Sequence, residues 1–144
     1  MGLVLNLLES KGYDVLTVRP DQMVKDAIKR MEDIAAGTAL VTEGDQLVGI
    51  ISERDVIRKV VLQGKSIDTV PVMEIMSTRL TTVTPETQLD ECMQLMTEKR
   101  IRHLPVLKDQ QLCGIVSIGD VVKYLVVEKD FKIKNLETYI SGAM

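Results

Sequence analysis

Two short segments of this chain place a hydroxyl three residues before a carboxylate, where an apolar strand gives way to an apolar helix. One reads Gly114-Ile115-Val116-Ser117-Ile118-Gly119-Asp120-Val121, the other Gly49-Ile50-Ile51-Ser52-Glu53-Arg54-Asp55-Val56. The start of a helix leaves backbone N–H groups unpaired and carries partial positive charge, so it suits a phosphate. An aspartate beside it can accept hydrogen bonds from both hydroxyls of a ribose. The same residue types also cap helices, with Ser or Asp accepting from first-turn amides. From one copy alone, capping is the simpler account.

The segments lie 65 residues apart, and the same register extends well beyond them. Pro20 pairs with Pro85, Met31 with Met96, Val41 with Val106 and Leu47 with Leu112. Residues 17–59 and 82–124 share 12 of 43 positions without a gap. Unrelated segments of average composition would share about two or three. The chain is a tandem duplication, which is why repeats are sought before other features.

The elements that hold the two segments follow from local pattern. Residues 3–11 read as a short helix stopped by Gly12, and 14–18 as a strand ending before Pro20. Val24, Ala27, Ile28 and Met31 recur at helical spacing and predict a helix over 22–34. Strands over 39–42 and 47–51 flank a hairpin turn at Glu43-Gly44-Asp45. A helix over 54–62 ends near Gly64. The second repeat predicts a strand over 80–84, a helix over 89–99, strands over 104–107 and 111–116, and a helix from Gly119 to Lys129 or beyond. Residues 135–140 have helical apolar spacing. The expected division is a first repeat over 1–64 with its N-terminal helix, a linker over 65–75, and a second repeat over 76–144 with a helical tail. The fold class is α/β, two β-α-β-β-α repeats related by a pseudo-two-fold axis and sharing one core.

Composition narrows the function. The 144 residues suffice for one sizeable core, whereas a repeat of about 55 residues would be marginal alone. With one Phe, three Tyr and no Trp, that core is built from Val, Leu, Ile and Met. A net charge of −3 and the lack of an aromatic-basic surface argue against nucleic acid. Two Cys and one His supply no zinc signature. Cys92 and Cys113 read as small buried apolar side chains. Free cysteines fit a reducing compartment, the cytoplasm or an organelle matrix. The apolar start, residues 1–8, is too short for a signal peptide, and no membrane segment is expected.

The repeat resembles the CBS domain, named after cystathionine β-synthase, and the tandem pair called a Bateman module. The resemblance is carried by IRHLPVLKDQQLCGIVSIGDVV (101–122), by GTALVTEGDQLVGIISERDVI (37–57), and by EIMSTRLTTVTPETQL (74–89). It implies binding of adenosine-containing ligands such as AMP, ADP, ATP or NAD(H) between the repeats, and pairing of modules through their helices. On that resemblance Asp55 and Asp120 match the ribose-binding aspartate, while Ser52 and Ser117 match the hydroxyl that contacts ribose or phosphate. Ile118 lies between Ser117 and Asp120. Arg102 and His103 match positions facing phosphates, where the first repeat has Gly37 and Thr38. Arg54 stands opposite Gly119, so the second cleft would draw its charge from Arg102 and His103 and the first from Arg54. Ala39, Leu40, Met76, Leu104 and Pro105 would flank the adenine.

Each residue has a plainer role available: helix capping for the aspartates, a solvated basic edge for Arg100 and Arg102, a satisfied polar residue for His103. Three functions follow. One is a stand-alone sensor that binds an adenine nucleotide as effector, with no obligatory cofactor, and signals to a target protein as a homodimer. Another is a structural dimerisation module with vestigial clefts. The third, a nucleotide-processing enzyme, lacks an activated nucleophile or a metal-carboxylate cluster.

Overall fold

The computed structural model describes residues 2–142. In chain order it contains α1 (Val4–Lys11), β1 (Thr17–Val18), α2 (Val24–Asp33), β2 (Thr38–Glu43), β3 (Gln46–Ser52) and α3 (Glu53–Val56). A π-helical segment, Ile57–Val61, prolongs α3. Then come α4 (Val72–Ile75), α5 (Leu89–Lys99), β4 (His103–Lys108), β5 (Gln111–Ser117) and α6 (Ile118–Gly142). The fold is the expected α/β pair of repeats.

In the first repeat, β1 runs parallel to β2 and β2 antiparallel to β3. In the second, β4 and β5 form the matching hairpin, and both hairpins are kinked at the same repeat position, Val41/Thr42 and Val106/Leu107. A bulge conserved between the copies re-aims the following side chains in both.

The strand expected over 80–84 is reduced to one parallel bridge, Val83 to Val106. The reason is a single residue. Leu40 N–H donates to the Leu16 carbonyl at 3.0 Å and extends the β1–β2 ladder. Its repeat equivalent is Pro105, which has no N–H to give.

Buried side chains group into two clusters, one per hairpin. The first joins Val24, Ala27, Met31, Val41, Ile51 and Val60 with Val72 and Ile75. The second joins Leu89, Cys92, Met96, Leu104, Val106 and Val116 with Val4, Leu7 and Leu8. The N-terminal helix, assigned by order along the chain to the first repeat, therefore packs in the core of the second. The segment 65–75, expected as linker, supplies α4 to the first. Both are held by the same backbone bonds: Val4 N–H to the Thr87 carbonyl and Val72 N–H to that of Gln22, each at 2.8 Å. The crossing locks the halves together. Close approach makes it possible: a Cβ on Gly114 would lie 2.9 Å from Leu8 Cδ2, and one on Gly49 2.7 Å from Met76 Sδ.

The last helix runs unbroken through the tail region to Gly142, and residues 132–138 on it are exposed. Exposed apolar side chains recur at matching repeat positions: Ile57, Val61 and Leu62 after α3, and Val122, Val126 and Val127 on α6.

Candidate functional site

A cleft of about 580 Å³ opens between the repeats. The first repeat contributes Gly37, Thr38, Ile50, Ser52, Glu53, Arg54 and Asp55; the segment after α4 contributes Ser77, Arg79, Leu80 and Thr81; the second repeat contributes Arg100, Ile101, Arg102, His103 and Pro105. Four guanidinium groups thus line a cleft with two carboxylates. That excess of positive charge suits a phosphate-bearing ligand.

The Ser52–Asp55 pair on its wall forms a reciprocal cap. Ser52 N–H and Oγ donate to Asp55 Oδ2 at 2.9 and 3.0 Å, and Asp55 N–H donates to Ser52 Oγ at 3.2 Å. This is a capping box with Asp in place of Glu. Lys59 Nζ lies 3.2 Å from the second oxygen, Oδ1. Glu53 N–H is also taken, by the Gly37 carbonyl at 3.0 Å. Capping is therefore real, and two of the first three amides of α3 are satisfied inside the protein.

Ser117 and Asp120 repeat the cap: Ser117 N–H donates to Asp120 Oδ2, and Asp120 N–H to Ser117 Oγ, both at 3.0 Å. Neither residue lines the cleft. Here the carboxylate has another partner, since Lys11 at the end of α1 reaches Asp120 Oδ2 at 2.6 Å and the Ile115 carbonyl at 2.8 Å. Burial acts to raise the Asp120 pKa, but the hydrogen bonds from Lys11 and Ser117 outweigh it and hold the carboxyl below its ordinary value.

Thr38 and His103, repeat equivalents, meet at the seam with Thr38 Oγ1 3.2 Å from His103 Nδ1. Contact between equivalents places this pair on the pseudo-two-fold axis, beside both Ser-Asp motifs. Burial pulls the His103 pKa below 6.5; Asp120 opposes that, while Lys11 and Arg102 reinforce it. In this position the imidazole serves as a hydrogen-bonding partner of Thr38.

Sequence order had divided the positive residues between two sites, with Arg54 in one and Arg102 and His103 in the other. The structure gathers all three in the cleft beside Asp55. Thr38, Ser52 and Pro105 line it as well. Ala39, Leu40 and Leu104 do not: each is buried, with Ala39 and Leu104 in the two core clusters. Met76 packs on the first cluster against Gly49, and Ile118 on the second. Arg79, Arg100 and Lys11 were not foreseen in these positions. Arg100 had one visible signal, the basic run 99–102. Its backbone is left-handed, with φ 55°, as is that of its equivalent Ala35 with φ 53°, so the same tight turn ends α2 and α5.

Among the described residues no helix is long and apolar enough to cross a membrane, and no group of His, Cys, Asp and Glu is arranged to hold a metal ion.

The CBS domain pattern matches residues 10–62 and 72–127. The chain is 43% identical over 148 residues to a mitochondrial CBS domain-containing protein of Arabidopsis thaliana, CBSX3, covering 96% of this chain and 72% of that protein. It is 36% identical to the CBS domain-containing protein YhcV of Bacillus subtilis, covering 74% of this chain and 76% of the other. The solved structure of a protein with CBS domains from Burkholderia ambifaria MC40-6 superposes with a TM-score of 0.83 at 44% identity, covering 87% of this chain and 94% of that one. The duplicated fold, the paired Ser-x-x-Asp caps and these matches agree: the chain belongs to the CBS-domain family, as a tandem pair of the regulatory, non-catalytic kind.

Proposed function

We propose that the chain is a sensor module that binds one adenosine-containing nucleotide (AMP, ADP, ATP or NAD(H)) in the cleft beside Asp55 and reports its occupancy to a partner protein. The observation that carries this reading is the convergence of Arg54, Arg79, Arg100 and Arg102 on a cleft whose wall holds Ser52 and Asp55. The guanidiniums supply bidentate donors for phosphate. Ligand hydroxyls would compete for Asp55 Oδ1 with Lys59, whose ammonium lies 3.2 Å from that oxygen and is also bonded to the Ile75 carbonyl at 2.9 Å. Ile50, Leu80, Ile101 and Pro105 provide apolar surface for a base.

Regulation in this reading runs through a homodimer. Ile57, Val61, Val122 and Val126 form exposed apolar surface repeated by the internal symmetry, which suits a self-complementary interface. The same surface favours the second reading, a dimerisation module whose clefts are vestigial. Asp55, already bonded through both oxygens, fits that reading too.

Thermal unfolding with a panel of AMP, ADP, ATP and NAD separates the two, because a ligand bound only by the native state raises the midpoint by mass action. At 100 times Kd the gain is about 2.7 kcal/mol. A sensor shows such a rise with at least one ligand. A structural module shows none with any of them.

A further inference from the structure

The two Ser-Asp caps are alike, but what stands in front of them is not. The segments that enter each repeat correspond with an offset of 68: Val4 matches Val72 through bonds to Thr87 and Gln22, Leu5 matches Met73 through bonds to Pro85 and Pro20, and Leu8 matches Met76 against Gly114 and Gly49. Beyond that point they diverge. Helix α4 ends at Ile75, and the extended chain that follows pairs with β3, Ser77 N–H donating to the Ile50 carbonyl at 2.8 Å. Helix α1 continues to Lys11, and among the described residues no backbone N–H takes the place of Ser77 at the equivalent carbonyl, that of Ile115. The Lys11 ammonium takes its place at 2.8 Å and, from there, binds Asp120 Oδ2 at 2.6 Å. By count the partner of Lys11 is Arg79, which lines the open cleft and makes no salt bridge among the described residues.

We propose that Lys11 acts as a built-in occupant of the second ribose position, so that the chain takes one nucleotide, in the Asp55 cleft, and not two. This rests on the function proposed above. The ammonium donates to the carboxylate that a ribose would need, and it is anchored to a backbone carbonyl so that it does not simply swing away. Lys59 also bonds a backbone carbonyl, that of Ile75 at 2.9 Å, but it lies on the helix of its own motif and meets Asp55 Oδ1 at 3.2 Å, whereas Lys11 comes from a separate element and meets Asp120 Oδ2 at 2.6 Å. The asymmetry arises from four more residues of helix rather than from the binding motifs, which are intact in both repeats.

Titration calorimetry with AMP, ATP and NAD, each in turn, tests this. The wild type is expected to bind one equivalent per chain, lost in Asp55→Ala. Lys11→Met keeps the aliphatic stem and removes the ammonium; it should bind two equivalents, and Lys11→Met combined with Asp55→Ala should bind one. Lys11→Arg retains the ion pair and should stay at one. Lys11→Gln, which still offers an amide to Ile115, gives the same answer as Lys11→Met if that variant does not fold. Two equivalents in the wild type, or one in both neutral variants, overturns the role of Lys11 while leaving the sensor function standing. One wild-type equivalent that survives Asp55→Ala overturns the choice of cleft and this inference with it. No binding by the wild type or any variant overturns both the function and the inference.

Discussion

Replacing Asp55 by Asn or by Ala distinguishes its structural role from ligand binding, because the two roles need different atoms. In the cap, Oδ2 accepts from Ser52 N–H and Oγ, and Oδ1 faces Lys59. Asn keeps one carbonyl oxygen for Ser52 N–H and forfeits the Lys59 pair, a loss of about 0.3–0.5 kcal/mol. Ala loses both bonds from Ser52 as well, about 0.5–1.5 kcal/mol each, for a total of about 1.5–3.5 kcal/mol. A carboxylate holding both ribose hydroxyls contributes about 1.5–3 kcal/mol through charge-assisted bonds. Losing it weakens binding roughly 10- to 150-fold. Because the amide nitrogen cannot accept, Asn is expected to lose most of that affinity while keeping most of the stability. Urea unfolding and nucleotide titration on both variants measure the two quantities separately. The reasoning is refuted if Asp55→Asn binds with wild-type affinity, or if a 2′,3′-dideoxyadenosine nucleotide binds the wild type as well as its ribose parent.

Val61→Glu with Val126→Glu, at equivalent exposed positions, is expected to convert a dimer to a monomer in sedimentation while leaving the circular dichroism spectrum unchanged; an unaltered sedimentation coefficient counts against the interface. The lowered pKa of His103 means that the unfolded chain binds a proton the native chain refuses, so stability is expected to fall as pH drops through 6.5 toward the native value and to be level above it. Denaturant midpoints between pH 5 and 8 should show that slope in the wild type and lose it in His103→Asn. Gly114→Ala drives a methyl into the fully buried, branched Leu8, whereas Gly49→Ala meets the flexible, partly buried Met76 and, at 3.2 Å, the Ser77 carbonyl, which need give only a few tenths of an ångström. The first should cost about 1–3 kcal/mol and the second less, read from thermal melts; equal costs would mean that Leu8 moves as freely as Met76.

The sequence by itself determined what depends on neighbours along the chain. Helical spacing at Val24, Ala27 and Met31, hairpin turns at matching positions and the 65-residue register yield the repeat, and the structure has them within one or two residues at most boundaries. The Ser-x-x-Asp caps are equally local, since the interacting atoms are three residues apart. Even the missing strand was written there, in Pro105 standing where Leu40 donates a bond. What only the tertiary structure decided is which residues share a cleft. Arg79 and Arg100 lie outside the Ser-x-x-Asp motifs and share the cleft with Asp55, Arg79 because the chain after α4 follows the first repeat's sheet and Arg100 because the turn after α5 faces it, while α1 crosses to the second core. That exchange is driven by apolar burial, which rewards area covered and is blind to order along the chain. It also brings Lys11 to Asp120 across 109 residues, so two motifs that read alike face different chemistry.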